Sequence, residues 1–138
     1  MGRYLLIDDD DIIQFIHSKV VKRLDPEADV KTAFSVDQGI KLLDEMAPGP
    51  WPDFIFVDIS MPVKSGFDFI EELENLHPHA YAKVMAHSRL FILTSSVNPH
   101  DLRRSAQCSL VEGLLSKPLN PAALERLLKN APTHISNG

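Results

Sequence analysis

Residues 54–62 of the chain read FIFVDISMP, and this stretch decides the fold class. Its first four residues form a continuous apolar run, which is typical of a parallel β-strand covered on both faces. The run ends at Asp58, and the turn-forming residues Pro62 and Gly66 follow within eight positions. Because a buried strand needs neighbours, the pattern predicts further strands of the same kind elsewhere in the chain.

Strand-like segments recur on both sides of this stretch and alternate with helix-like ones. The other four strand candidates are residues 4–7, 30–34, 90–93 and 113–116. The first and third of these are again continuous apolar runs, whereas residues 30–34 alternate apolar and polar positions. Alternation favours a strand with one exposed face, so the second strand is expected at an edge of the sheet.

Five helices are predicted between the strands from apolar residues at helical spacing. Their predicted core positions, helix by helix, are Ile12, Ile13, Ile16, Val20 and Leu24; Ile40, Leu43 and Met46; Phe67, Ile70 and Leu73; Leu102 and Ala106; and Leu124, Leu127 and Leu128. The fourth helix has only two such positions, so we expect it to be loosely held. Residues 77–88 lie between the third predicted helix and the fourth predicted strand and contain Pro78, and we expect them to be mobile or to carry a short extra helix.

Five βα units predict an α/β fold with right-handed crossovers. The specific expectation is a flavodoxin-like, doubly wound, five-stranded parallel sheet of order 2-1-3-4-5, with five helices in a three-layer sandwich. A chain of 138 residues suits one domain. We expect that domain to span residues 1–131, and we expect residues 132–138 to form a disordered tail.

Composition narrows the function classes. Apolar residues make up 44% of the chain and charged residues 24%, as in ordinary soluble globular proteins. The net charge of −5 argues against a nucleic-acid-binding surface, which is usually basic. No apolar run approaches the roughly 18 residues of a membrane span, and the single cysteine suits a reducing compartment. The sequence therefore predicts a cytoplasmic protein without membrane or nucleic-acid partners.

Acidic side chains stand at the ends of two predicted strands. Asp8 and Asp9 follow the first strand, and Asp58 ends the third, its expected neighbour. Three carboxylates at one edge of the sheet repel one another unless a cation lies between them. Oxygen ligands of this kind suit Mg²⁺ or Mn²⁺. Asp10 and Asp11, by contrast, are explained by the favourable placement of acidic residues at a helix N-terminus.

Two further strand ends carry groups that suit phosphoryl chemistry. Thr94 ends the fourth strand with a hydroxyl group, and Lys117 follows the fifth with an ammonium group. A carboxylate such as Asp58, placed beside Mg²⁺, can attack phosphorus and form an acyl phosphate. A hydroxyl donor and a cation aimed at the same place would bind the transferred group. Each residue alone is weak evidence, but four successive strand ends are a specific set.

In this ordered set the sequence resembles the receiver domains of two-component response regulators, and stand-alone chemotaxis-type receivers in particular. The matching motifs are IDD at 7–9, VD at 57–58 with MP at 61–62 and Gly66, LTS at 93–95, and SKP at 116–118. The resemblance implies that Asp58 is the phosphoacceptor. It also implies the other roles: Asp8 and Asp9 as the acidic metal pair, the Ser60 backbone carbonyl as a further metal ligand, and Thr94 and Lys117 as contacts of the phosphoryl group.

The same resemblance implies a function and partners. The protein would accept a phosphoryl group from a histidine kinase or histidine phosphotransfer protein and signal through protein–protein contacts, as a monomer or a weak phosphorylation-dependent dimer. It would be a switch that assists its own phosphorylation and dephosphorylation rather than an enzyme. The Lys117–Pro118 bond is commonly cis in this family. Receivers usually carry an aromatic residue where this chain has Leu114, which puts the aromatic form of the switch in doubt.

Two alternative functions stay open at this point. A hydrolase with an aspartyl-phosphate intermediate usually has a second aspartate two residues after the nucleophile, where this chain has Ser60. A pseudo-receiver acts without phosphorylation, but such a domain lacks one or more of the site residues found here. A separate hypothesis concerns His77, His79 and His87, which could bind a transition metal but are more often plain loop residues.

Overall fold

The structure is a computed structural model that describes residues 2–46 and 49–129. Its strands are β1 (Arg3–Ile7), β2 (Asp29–Ala33), β3 (Phe54–Asp58), β4 (Arg89–Thr94) and β5 (Val111–Ser116). Its helices are α1 (Asp11–Leu24), α2 (Val36–Glu45), α3 (Gly66–Leu76), α4 (Pro78–His87), α5 (Pro99–Ala106) and α6 (Pro121–Lys129). The predicted tail, residues 132–138, lies outside the described residues.

The five strands form one parallel sheet in the order β2-β1-β3-β4-β5, which confirms the predicted flavodoxin-like topology. The strand ends are aligned, since Ile7 lies opposite Ala33 on one side and Val57 on the other. Between β4 and β5, on the far side of the sheet, the carboxyl ends are aligned as well, because Thr94 lies opposite Ser116. The residues that follow β1, β3, β4 and β5 are therefore brought to a single edge of the sheet.

Apolar side chains cover both faces of the sheet and give the predicted three layers. One cluster joins the sheet to α2, α3 and α4 through residues such as Leu43, Leu73 and Val84. The other joins it to α1 and α6 through Val21 and Leu124. Burying continuous apolar strands in this way is the main source of stability in the fold. The loop before β3 is anchored by buried Trp51, whose Nε1 donates a hydrogen bond to Ser88 Oγ at 3.0 Å.

The described chain has six helices, where five were predicted. The extra one is α4, which occupies most of residues 77–88. Pro78 has no N–H group and cannot continue α3, so α3 stops and Pro78 becomes the first residue of a new helix. Ala80 and Val84 are buried in the core. The extra-helix expectation is thus confirmed, and the new helix packs two of its side chains into the core.

The predicted core face of α1 is wrong at its N-terminal half. Ile12 is 71% exposed and Ile16 is 36% exposed, whereas Gln14, His17 and Val21 are the buried residues. Two polar side chains can face the interior here because each has hydrogen-bond partners there. Counting apolar residues alone therefore misplaced Ile12 and Ile16, whereas the predicted core residues Val20 and Leu24 do pack against the core.

Helix α5 is the fourth helix of the sequence prediction, and it is held even more loosely than predicted. Leu102, expected in the core, is 45% exposed, and Ser105 is the residue of this helix that is buried. The helix begins as predicted, because the Asn98 side chain accepts a hydrogen bond from Asp101 N–H at 2.9 Å. Arg104 stacks over the Phe67 ring at 4.2 Å, which links α5 to α3. Few apolar atoms fix the position of this helix.

No helix within the described residues is long and apolar enough to cross a membrane.

Candidate functional site

Three carboxylates meet at the carboxyl edge of the sheet. One oxygen from each of Asp8, Asp9 and Asp58 lies within 4.8 Å of the other two. Asp8 and Asp58 are buried, while Asp9 is exposed. The neighbouring residue Asp10 is instead the N-cap of α1, accepting hydrogen bonds from backbone N–H groups of the first turn. The structure therefore brings the predicted acidic residues together, while their role as metal ligands stays a prediction.

Lys117 joins two of these carboxylates. Its Nζ lies 3.0 Å from Asp8 Oδ2 and 3.2 Å from Asp58 Oδ1. The lysine is placed by the end of β5, where its backbone N–H donates to the Thr94 carbonyl at 2.8 Å. The Lys117–Pro118 bond is cis, as the family resemblance implies. The Lys117 ammonium thus contacts two buried carboxylates that lie far from it in the sequence.

The charges in this cluster are not balanced. Burial raises the pKa of Asp58 above its ordinary value, and the Asp8 charge raises it further, while Lys117 and the Ser60 N–H oppose the shift. Burial acts to lower the pKa of Lys117, but its hydrogen bond to Asp8 and the nearby negative charges raise it overall. Three carboxylates and one ammonium leave two negative charges uncompensated. The site is therefore suited to a divalent cation.

The donor set fits Mg²⁺ rather than a softer metal. All three side-chain donors are carboxylate oxygens, the ligands that hard cations prefer. These oxygens lie within 4.8 Å of one another, a separation comparable with the roughly 4 Å between opposite oxygens around Mg²⁺. Exposed Asp9 leaves one side of the cluster open to water, which Mg²⁺ normally retains. Asp8, Asp9 and Asp58 are the residues that would hold the ion.

Thr94 and Ser60 flank the cluster, and their phosphoryl and metal roles stay predictions. Thr94 is buried, and its hydroxyl donates to the Ser96 carbonyl and accepts from the Ser96 N–H, both at 3.1 Å. Its hydroxyl is thus engaged with the β4–α5 loop in this conformation. Ser60 N–H lies 3.3 Å from Asp58 Oδ1 and donates to it.

Gly66 allows α3 to begin directly against the phosphoacceptor candidate. A Cβ at this position would lie 2.8 Å from the Asp58 carbonyl oxygen, which is closer than packed atoms approach. The Gly66 N–H also donates to the Ile59 carbonyl at 3.1 Å. Glycine is therefore required here by close packing on the backbone that carries Asp58.

Two residues beside the site were missed by the sequence analysis. Buried Gln14 contacts the carbonyl ends of β1 and β2, and buried His17 accepts a hydrogen bond from Leu119 N–H at 3.1 Å. Burial lowers the pKa of His17, so the neutral imidazole that accepts this bond is favoured. The signal available in the sequence was two polar residues at helical spacing, which a search for apolar positions passes over.

The histidine hypothesis has no geometric support in the described residues. The group of three or more potential metal ligands found among those residues consists of Asp8, Asp9 and Asp58. His77, His79 and His87 form no such group within the described ranges. His77 instead lies 3.3 Å from an Asp44 oxygen, which links α2 to the start of α4.

Comparison with known proteins establishes the family. Residues 4–129 match the response regulator receiver domain, and the chain therefore belongs to that family. Receiver domains act as phosphorelay signalling switches and typically bind Mg²⁺ at an acidic pocket. A comparison with curated protein sequences finds no match.

Solved structures of response regulators share the fold. A two-component response regulator from Cytophaga hutchinsonii is 28% identical with a TM-score of 0.80, covering 99% of this chain and 97% of that one. The chemotaxis protein CheY4 of Vibrio cholerae is 25% identical with a TM-score of 0.71, covering 94% and 97%. A Burkholderia pseudomallei response regulator, solved with a phosphorylated aspartic acid, calcium ion and citrate, is 21% identical with a TM-score of 0.72, covering 99% and 72%. At this level of identity, the similarity to the Burkholderia pseudomallei protein shows the fold alone.

Proposed function

We propose that this protein is a switch that accepts a phosphoryl group on Asp58 from a histidine kinase or histidine phosphotransfer protein, in a Mg²⁺-dependent reaction. The observation that carries the proposal is the cluster of three carboxylates within 4.8 Å, two of them joined by Lys117. Family membership supplies the reaction class, and the cluster supplies the residues.

In the proposed reaction an Asp58 carboxylate oxygen attacks the phosphorus of a phosphohistidine. A new O–P bond forms as the P–N bond breaks, and the leaving imidazole nitrogen takes a proton from water. Mg²⁺, when bound, supplies positive charge that neutralises the phosphoryl oxygens. The Lys117 ammonium is already 3.2 Å from Asp58 Oδ1, so it can stabilise negative charge on the transferred group.

The proposed output begins at Thr94. A phosphoryl group on Asp58 competes with Ser96 for the Thr94 hydroxyl, since that hydroxyl now bonds to the Ser96 backbone. The released β4–α5 loop leads into α5, whose apolar anchoring is thin. A weakly anchored helix has alternative positions close in energy, so one hydrogen bond can shift their populations. The face formed by α5, β5 and α6 is therefore the proposed surface for a downstream protein or a second copy.

Leu114 limits how that output works. It is half-buried on β5 and packs against the larger apolar cluster. A leucine side chain has no hydrogen-bonding group, so it cannot follow Thr94 by forming a new polar contact. Any movement coupled through this position is a change of packing.

The metal requirement can be tested with two aspartates of the same segment. Asp9→Asn removes one carboxylate of the cluster, whereas Asp11→Asn removes an exposed charge outside it. With phosphoramidate as donor, we expect Asp9→Asn to need much more Mg²⁺ for half-maximal labelling, and Asp11→Asn to behave like the wild type. Equal Mg²⁺ requirements in all three proteins would show that Asp9 does not hold the ion.

A further inference from the structure

Gln14 makes an unusual set of contacts for a buried residue of α1. Its side chain is 3% exposed, and its Nε2 lies 3.0 Å from the Leu6 carbonyl oxygen. The same nitrogen lies 3.1 Å from the Asp8 carbonyl oxygen and 2.9 Å from that of Ala33. One amide group thus contacts three backbone acceptors at the ends of β1 and β2, where the acidic pair begins.

The orientation of this amide is fixed by its surroundings. If nitrogen and oxygen were exchanged, Oε1 would face three carbonyl oxygens, which repel it and offer no hydrogen. In the observed orientation Oε1 of Gln14 is buried without a partner among the described residues. The amide is therefore held through its nitrogen, and the contacts of that nitrogen have a consequence for the acidic pair.

That consequence concerns the backbone of Asp8. The Asp8 N–H donates a hydrogen bond to the Ala33 carbonyl at 3.0 Å. The Asp8 carbonyl accepts one from Gln14 Nε2. Its carboxylate is held by Asp10 N–H at 2.9 Å and by Lys117 at 3.0 Å. The Asp8 carbonyl belongs to the peptide plane that leads to Asp9. Fixing this carbonyl therefore sets the direction from which both acidic side chains project.

We infer that Gln14 is a positioning residue for the metal-binding carboxylates Asp8 and Asp9. The inference rests on the proposed function, because it assigns to Gln14 a part in the same site. Gln14 would not touch the ion. It would hold the β1–α1 turn in the geometry that Mg²⁺ requires, as groups that orient metal ligands do at other sites.

The test compares two changes on the buried face of α1. Gln14→Met keeps a side chain of similar shape, removes both N–H donors and also removes the unpaired oxygen, so the fold should survive. Val21→Ala is the control, because Val21 is fully buried on the same face and lies outside the carbonyl contacts. Gln14→Asn, one methylene shorter, is a second variant that withdraws the amide from the carbonyls.

The first readout is Mg²⁺ binding to the unphosphorylated protein by calorimetric titration, and the second is the Mg²⁺ concentration for half-maximal labelling by phosphoramidate. We expect both to show roughly ten-fold weaker binding in the two Gln14 variants, with Val21→Ala unchanged. Wild-type affinity in Gln14→Met or Gln14→Asn would overturn the inference, and so would an equal loss in Val21→Ala. A wild-type protein that neither binds Mg²⁺ nor is labelled would overturn the proposed function itself, and the inference with it.

Discussion

Replacing Lys117 with methionine should expose the charge imbalance of the site. Lys117 Nζ lies 3.0 Å from Asp8 and 3.2 Å from Asp58, and all three side chains are at most 12% exposed. Without the ammonium, two buried carboxylates face each other within 4.8 Å. At an effective dielectric constant near 20, two charges at that separation repel by about 3.5 kcal/mol. Removing one partner from buried pairs commonly costs about 3–5 kcal/mol, so we expect Lys117→Met to lose roughly that amount of unfolding free energy.

The assay is urea unfolding followed by the fluorescence of buried Trp51, with EDTA and with excess Mg²⁺. We expect Mg²⁺ to restore most of the stability lost in Lys117→Met, because the ion supplies the missing positive charge. Adding Asp58→Asn should also restore it in EDTA, since one of the two facing charges is removed. Lys129→Met is the control, because Lys129 forms an exposed ion pair. An identical loss with and without Mg²⁺, or no recovery in the double variant, would refute the charge account.

Two other predictions concern the loops around the site. Val63 has a φ of 73° at the centre of a turn closed by Lys64 N–H and the Pro62 carbonyl, and its side chain is 98% exposed. Asparagine tolerates this backbone better than a β-branched residue, so Val63→Asn should raise the unfolding free energy by about 1 kcal/mol. Val97→Asn, at an exposed position, is the control and should leave the unfolding free energy unchanged. A loss of stability in Val63→Asn would disprove the strain. The other prediction is that beryllofluoride shifts backbone NMR signals across residues 98–116 in wild type but not in Thr94→Ala. Shifts confined to the Asp58 pocket would mean that the signal leaves by another surface.

The strands, their order and the residues at their ends could be predicted because each follows from local pattern and topology. Parallel strands buried on both faces are continuous apolar runs, and such a sheet gathers its functional residues at the carboxyl edge. Asp8 and Lys117 could thus be placed near each other although they are 109 positions apart. The sequence could not show that one ammonium bonds to two carboxylates, because that depends on side-chain distances.

The errors on the helices have a shared physical cause. Ile12 and Leu102 were placed in the core because they are apolar, and both are exposed. Gln14 and His17 were not placed there because they are polar. Their burial depends on partners contributed by other segments, namely the carbonyl ends of two strands and the backbone N–H of Leu119. Hydrogen bonds of this kind cannot be recognised from the periodicity of a single helix.

The most direct test of the central claim is to locate the phosphoryl group after reaction with phosphoramidate and Mg²⁺. Mass spectrometry of the wild type should find one phosphoryl group, on Asp58. Asp58→Asn should remain unlabelled while folding normally, and Asp53→Asn, at the opposite end of the same strand region, should be labelled like the wild type. A phosphoryl group on another residue of the wild type, or undiminished labelling of Asp58→Asn, would contradict the account.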